Sequence, residues 1–215
     1  FEEGFVYSRN PLFPNHITKY TLDPSVVDCV VFCSKNYRSI MSKLYRITDR
    51  FNVFCHYTIT AYGKDVEPNV PDIDQSIGTL VELSAKVGSR RIAWRYDPVL
   101  LTEKYTVDYH LKMFDYMASH LAPYVNFCVF SFVEMYKRLE YNMPELIPRT
   151  DRDKEKLAEG MGAIARKYGL HLQTCGTSEN YSRYGIVVSG CMTTANLGNA
   201  LGCRFKNIAH KGTRI

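Results

Sequence analysis

The sequence predicts an α/β fold, a (β/α) barrel-like domain with parallel strands, forming a partial or complete TIM-type barrel. Strand-like apolar runs recur along the chain, each followed by a segment with helical periodicity, at a spacing of roughly 35 residues that suits βα units. One of them, Val26–Ser34, is an apolar run of the kind buried on both faces. No GxGxxG follows any strand and no GxxxxGK[ST] occurs, so both common nucleotide-binding versions of an α/β sheet lose their main support.

The elements follow in order. Residues Phe1–Gly4 read as the tail of a helix already under way. Val26–Ser34 is the first clear strand, and Arg38–Thr48 has helical spacing. Val53–Thr60 is the next strand, with a Gly-, Pro- and Asn-containing loop from Tyr62 to Pro71 after it. An amphipathic helix covers Ile73–Val87, with Ile73, Ile77, Leu80, Val81 and Ser84 on one stripe and Gly88 placed to end it. Arg91–Tyr96 is a strand stopped by Asp97-Pro98, and Val107–Leu121 a helix whose Leu111, Phe114, Met117, Ala118 and Leu121 share a face. Phe127–Val133 is a further strand, Thr150–Tyr168 a charged amphipathic helix, Leu170–Thr174 a strand, Ile186–Val188 a short strand and Thr194–Leu201 a last helix. Nothing Ser-rich or of low complexity marks a boundary, so residues 1–215 read as one domain. The basic run Arg204–Arg214 reads as a solvated connector.

Composition narrows the class. A hydrophobic content of 46% is enough for a sizeable core, and the longest apolar run is interrupted by Asp28, well short of a membrane span. The net charge of +5 is mild; it permits phosphate contacts without arguing for nucleic acid, which needs a concentrated basic face. Seven cysteines form no CxxC pair, and four fall inside predicted strands, which suggests reduced thiols and a cytoplasmic protein.

In parallel α/β proteins, sites form where the strands end. Those positions hold Lys35 after the first clear strand, Thr58 and Thr60 on the second, Arg95 and Asp97 on the third, Ser131, Glu134 and Lys137 on or after the fourth, and Thr174-Cys175 on the fifth. Strand alternation puts Ala93, Arg95 and Asp97 on one face, and His56, Thr58 and Thr60 together. Arg95 suits a carboxylate or phosphate, and Asp97 could accept from hydroxyl groups. Plainer readings exist: Arg95 and Asp97 as a buried ion pair, Lys35 as a solvated loop residue, His56 as a satisfied core histidine, and Cys29, Cys33, Cys55 and Cys128 as small core residues. Cys175 and Cys191 differ because each stands beside a glycine at a strand end or loop.

Lys35-Asn36, Thr58-Ile59-Thr60, Tyr62-Gly63, Glu67-Pro68-Asn69-Val70-Pro71, Trp94-Arg95-Tyr96-Asp97-Pro98, Ser131-Phe132, Tyr136-Lys137, Thr174-Cys175 and Gly190-Cys191 occur in that order. Together they resemble the domain-of-unknown-function 1848 family of prokaryotic proteins, over almost the whole chain, with Trp94–Pro98 the most specific part. The resemblance implies a further strand and an Arg-Thr-Asp loop ahead of Phe1. It also implies a cysteine-rich segment after Ile215 whose C-x3-C-x2-C spacing is similar to the cluster loop of radical S-adenosylmethionine enzymes. A 4Fe-4S cluster and S-adenosylmethionine are thus implied cofactors of the full-length protein, with Cys175 and Cys191 as possible metal ligands. Lys35, Thr58, Thr60, Arg95, Asp97, Ser131 and Lys137 match the family's pocket positions. The chain departs from the pattern at Cys33-Ser34, where Trp-Thr is expected, and at Tyr37, where Pro is expected. Gly176-Thr177 and Met192-Thr193 stand where acids are expected after Cys175 and Cys191.

Three functional readings follow. The first is the core of a radical-type enzyme acting on a small molecule, with Lys35, Asp97 and Lys137 catalytic and Thr58, Thr60, Arg95, Ser131 and Glu134 binding. The second is a metal-independent lyase or hydrolase with Glu134 or Asp97 as base and Lys137 or Lys35 as electrophile or Schiff-base group. The third is a ligand-binding module without turnover.

Overall fold

The computed structural model describes residues 1–177 and 179–205. The basic run Arg204–Arg214 therefore lies almost wholly outside the described residues. The centre of the fold is a six-stranded, all-parallel sheet in the order β3-β4-β5-β6-β7-β8: Val30–Ser34, Val53–Thr58, Ile92–Val99, Phe127–Phe132, Leu172–Thr174 and Val187–Val188. Every strand pairs with its neighbour in sequence. The crossovers between them carry α1 (Tyr45–Thr48), α2 (Ile73–Val87), α3 (Val107–Leu121), α4 (Lys137–Asn142) and α5 (Asp151–Lys167), and α6 (Thr194–Leu201) follows β8. The strands β3 and β8 are the two edges, and among the described residues no pairing joins them into a closed barrel.

The sequence explains most of these elements. On α3, the apolar stripe buries Phe114, Met117, Ala118 and Leu121, and Thr106 caps the helix by accepting from the Tyr109 amide at 3.2 Å. A capping box opens α5, where Thr150 and Asp153 each satisfy the other's backbone amide. The helices α3 and α5 pack closely at Gly160, where a Cβ would lie 2.5 Å from Leu111 Cδ2.

Four sequence expectations are corrected. Phe1–Gly4 is a turn rather than a helix tail, and it leads into an antiparallel hairpin of β1 (Phe5–Arg9) and β2 (Ile17–Thr21). The hairpin's loop is organised by Asn10, whose side chain accepts from the amides of Leu12 at 2.9 Å and Phe13 at 3.3 Å. The helix expected over Arg38–Thr48 is mostly turns, with only Tyr45–Thr48 helical, because Tyr37 drops into the core and its hydroxyl donates to the Phe32 and His56 carbonyls. The strand expected to stop at Asp97-Pro98 runs on to Val99, across a cis peptide and an irregularity in its pairing with β6. Cys33 is exposed rather than core, since β3 is an edge strand.

The two faces of the sheet differ sharply. The outer face, under the helices, carries Cys55, Tyr57, Trp94, Tyr96, Cys128, Phe130 and Leu172 within one large apolar cluster. The inner face carries Phe54, Ala93, Phe127 and Val129, over which α6 lays Leu197 and Ala200. Toward the strand ends the inner face turns polar.

Candidate functional site

Alternation and register build the polar part of the inner face. His56, Thr58 and Thr60 follow one another on the same side of β4 and its extension, as do Ala93, Arg95 and Asp97 on β5. The register sets Thr58 beside Arg95, Arg95 beside Val129, and Val129 beside Gln173. One rung lower stand Cys33, His56 and Ala93. One rung higher, Ser131 donates to one Asp97 oxygen while Arg95 donates to the other. This chain of three side chains spans β5 and β6 and is largely shielded, with the Arg95 and Asp97 side chains 24% and 12% exposed. The plain reading of Arg95 and Asp97 as an ion pair is therefore realised, and Ser131 is joined to it.

The loop after β8 crosses this face. Gln173 and Asn196 both donate to the Gly190 carbonyl at 3.2 Å, and Thr193 caps α6. With Gly190 fixed there, Cys191 packs with Cys175 against the same inner-face apolar cluster. Burial and the neighbouring Cys175 push the Cys191 thiol up, partly offset by the Arg95 charge.

His56 departs from the satisfied core histidine. It is fully buried, yet neither ring nitrogen has a partner. Burial, reinforced by the Arg95 charge, pulls its pKa down to about 4, so the ring is neutral near pH 7. The satisfied histidine is His110 on α3. Its Nε2 donates to the Leu100 carbonyl at 2.8 Å, which fixes the tautomer, so Nδ1 accepts from the Tyr96 hydroxyl at 2.7 Å. Arg95 Nε is likewise buried without a partner. A buried polar group left unpaired costs about 1–3 kcal/mol, and such groups gathered on one face mark a place where a ligand could complete the hydrogen bonding.

At the ends of β6 and β7 this face opens into a pocket of about 360 Å³ lined by Ser131, Phe132, Glu134, Arg149, Cys175, Gly176, Thr177 and Glu179. Arg149 lies over the Phe132 ring, 5.5 Å from its centre, and donates to the Val133 carbonyl while its Nε stays buried and unpartnered. Glu179 pairs with Lys154 at 2.6 Å and accepts from Tyr181.

The structure thus brings Thr58, Arg95, Asp97, Ser131, Glu134, Cys175 and Cys191 into one region. Thr60 and Lys35 form a separate group: both donate to Glu67, at 2.9 and 2.6 Å, and Glu67 lines another pocket with Tyr62, Gly63 and Lys64. Lys137 is exposed at the start of α4 and lines none of the described pockets. Sequence reasoning missed Glu67, Arg149, Gln173 and Glu179. Glu67 was visible inside the Glu67–Pro71 motif, and Gln173 by alternation two residues before Cys175. Arg149 sits in a loop with no periodic signal.

A cluster-binding role for the two cysteines can be set against the donors present. A 4Fe-4S cluster takes three or four thiolates, and among the described residues no group of three or more His, Cys, Asp or Glu side chains gathers to hold a metal. Cys175 and Cys191 supply a pair and no more. Among the described residues no helix is long and apolar enough to cross a membrane.

A family model described as Domain of unknown function (DUF1848) matches residues 1–215. No curated protein and no solved structure matches the chain.

Proposed function

Since the chain belongs to the DUF1848 family, whose description assigns no activity, we propose from the site itself that the protein is the core of a (β/α)-barrel-type enzyme acting on a small molecule at the carboxyl ends of its strands. The observation that carries this reading is the Arg95–Asp97–Ser131 chain, held on the inner face beside unpartnered His56 and Arg95 nitrogens. The sequential order of the six strands supports the barrel-type description, since each crossover returns to the next strand in the same direction around the sheet.

Asp97 is the candidate acid–base residue. Arg95 orients one oxygen of its carboxylate, and Ser131 fixes the other. Thr58 and Gln173 flank Arg95 and can present hydroxyl and amide groups to a bound molecule. The lyase reading through Lys35 is less well supported, because Lys35 is paired with Glu67 at 2.6 Å and does not line the inner-face pocket. Lys137 does not line the inner-face pocket.

The radical-type reading rests on a different observation, the placement of Cys175 and Cys191 against the same inner-face cluster. It requires cluster ligands beyond Cys175 and Cys191. Iron and acid-labile sulfide measured on anaerobically purified protein test it directly. Cluster stoichiometry that is lost in Cys175→Ser would support it, and protein free of both would remove it.

The barrel-enzyme reading is tested by incubating the protein with a small-molecule extract of its host cells and following depletion by mass spectrometry. The expected result is a compound consumed by the wild type and spared by Asp97→Asn. Consumption at the same rate by both proteins would overturn the role given to Asp97. No consumption by either, with saturable binding retained, would favour the non-catalytic module.

A further inference from the structure

We infer that the pocket at the ends of β6 and β7 is a subsite for a molecule of the amino-acid type, with its carboxylate on Arg149 and its ammonium group toward Glu134. The inference rests on the site reading above and adds the chemical class of the ligand. Arg149 is the first support. Among the described residues it forms no ion pair, yet it is half-buried, lies over Phe132, and keeps its Nε–H shielded from solvent with no acceptor. An arginine in that condition presents a donor edge to an incoming carboxylate or phosphate, and geometry favours two parallel bonds.

The charge of the rest of the pocket decides between those two. Glu134, at the exposed rim, has no cationic partner among the described ion pairs, and it does not pair with Arg149. Glu179 has a cationic partner in Lys154, which it shares with Asp151. Among the described residues the pocket therefore carries one positive and one negative side chain that form no ion pair, Arg149 and Glu134, and these two do not reach one another. A phosphate dianion would gain from Arg149 and lose against Glu134. A ligand bearing one carboxylate and one ammonium group gains at both ends. At about 360 Å³ the space fits a small molecule of this kind. The chain Ser131–Asp97–Arg95 opens from the same wall, since Ser131 lines the pocket. A ligand anchored at Arg149 would thus extend toward Asp97.

The test is binding to the full chain, followed by ligand-observed nuclear magnetic resonance and calorimetry. Each of the twenty proteinogenic α-amino acids would be used, with acetate, methylamine and inorganic phosphate as comparison probes. The expected result is saturable binding of at least one amino acid, with acetate and methylamine each at least about 10-fold weaker. Arg149→Gln should weaken that amino acid at least about 10-fold, and Arg149→Lys should recover part of the loss. Glu134→Gln, at an exposed position, leaves the fold intact and should weaken the amino acid while leaving acetate unaffected. The inference is overturned if no amino acid binds saturably, if phosphate binds more tightly than any of them, or if both Arg149→Gln and Glu134→Gln leave binding unchanged. Asp97→Asn separates this inference from the enzyme reading. Amino-acid binding that survives alongside unchanged turnover would sink the role of Asp97 and leave the subsite standing. Turnover abolished by Asp97→Asn, with no amino acid bound, would do the reverse.

Discussion

The outer and inner faces of the same six strands solve opposite problems. On the outer face polar atoms are few, and the Tyr57 and Thr174 hydroxyls are buried without a partner while others are matched. Trp94 stacks on Phe114 at 5.0 Å and its indole donates to the Ile59 carbonyl at 2.9 Å, and Tyr96 and His110 satisfy one another. On the inner face, His56 and Arg95 keep buried nitrogens without partners, one or two residues along the same strands from Tyr57, Trp94 and Tyr96. Side-chain alternation separates an apolar face, where the Tyr57 and Thr174 hydroxyls lack a partner, from one whose unpartnered groups are nitrogens of a histidine and an arginine. Natural folds tolerate such a local deficit where binding or chemistry makes use of it.

The largest expected effect tests the stabilising side of this comparison. Trp94→Ala would open a large cavity beneath α3 and should cost about 3–5 kcal/mol in urea or guanidinium unfolding. Thr58→Ala, on the inner face of the neighbouring strand and only half-buried, should cost under about 1 kcal/mol. Similar losses for the two would show that the inner face is as tightly integrated as the outer.

Acid is the next largest lever, and it acts on one histidine from each side. Burial, with the Arg95 charge added, lowers His56 to about 4. Burial also lowers His110 to about 4, against the opposing pull of the Leu100 carbonyl. Each folded pKa lies below the ordinary value of 6.5. Between these values the unfolded chain binds more protons, so the neutral rings' contribution is complete above pH 6.5 and is lost as pH falls toward 4. The full shift corresponds to roughly 3 kcal/mol per histidine. Unfolding free energies measured from pH 7 to pH 4 should fall steeply, and His56→Gln should flatten part of that slope. A flat profile in the wild type would mean that both rings gain solvent access readily.

The contrast between the faces also explains what was legible in the sequence. Alternation in Ile92–Asp97 and Cys55–Thr60 was enough to sort Trp94 and Tyr96 from Arg95 and Asp97, because a strand leaves no other arrangement. The apolar stripe of Val107–Leu121 gave α3 to the residue. What remained hidden depends on contacts between segments far apart in the chain. Arg149 enters the pocket from a loop. Glu67 matters because Lys35, 32 residues away, reaches it. The hairpin at Phe5–Thr21 was missed because its residues are almost all exposed and show no in–out pattern. His56 was misjudged because the sequence shows that it is buried but cannot show whether its nitrogens find partners.

The smallest expected effect is the most discriminating, since it removes one hydroxyl from each face. Tyr96→Phe deletes the donor to His110 Nδ1 and strands a buried acceptor, which should cost about 1–3 kcal/mol. Ser131→Ala deletes a donor to Asp97, but Arg95 still holds that carboxylate, and Ser131 sits at a pocket wall where water can replace it. Its stability loss should be about 1 kcal/mol or less. Its effect should instead appear in function, because an Asp97 free to rotate about its contact with Arg95 no longer presents a fixed oxygen to a bound molecule. Unfolding midpoints and ligand affinity measured on both variants give the answer. Tyr96→Phe should move the first and spare the second, and Ser131→Ala should do the opposite. If Ser131→Ala proved as destabilising as Tyr96→Phe and left binding untouched, the Arg95–Asp97–Ser131 chain would be a structural brace, and the distinction between the two faces would fail at the residues on which it most depends.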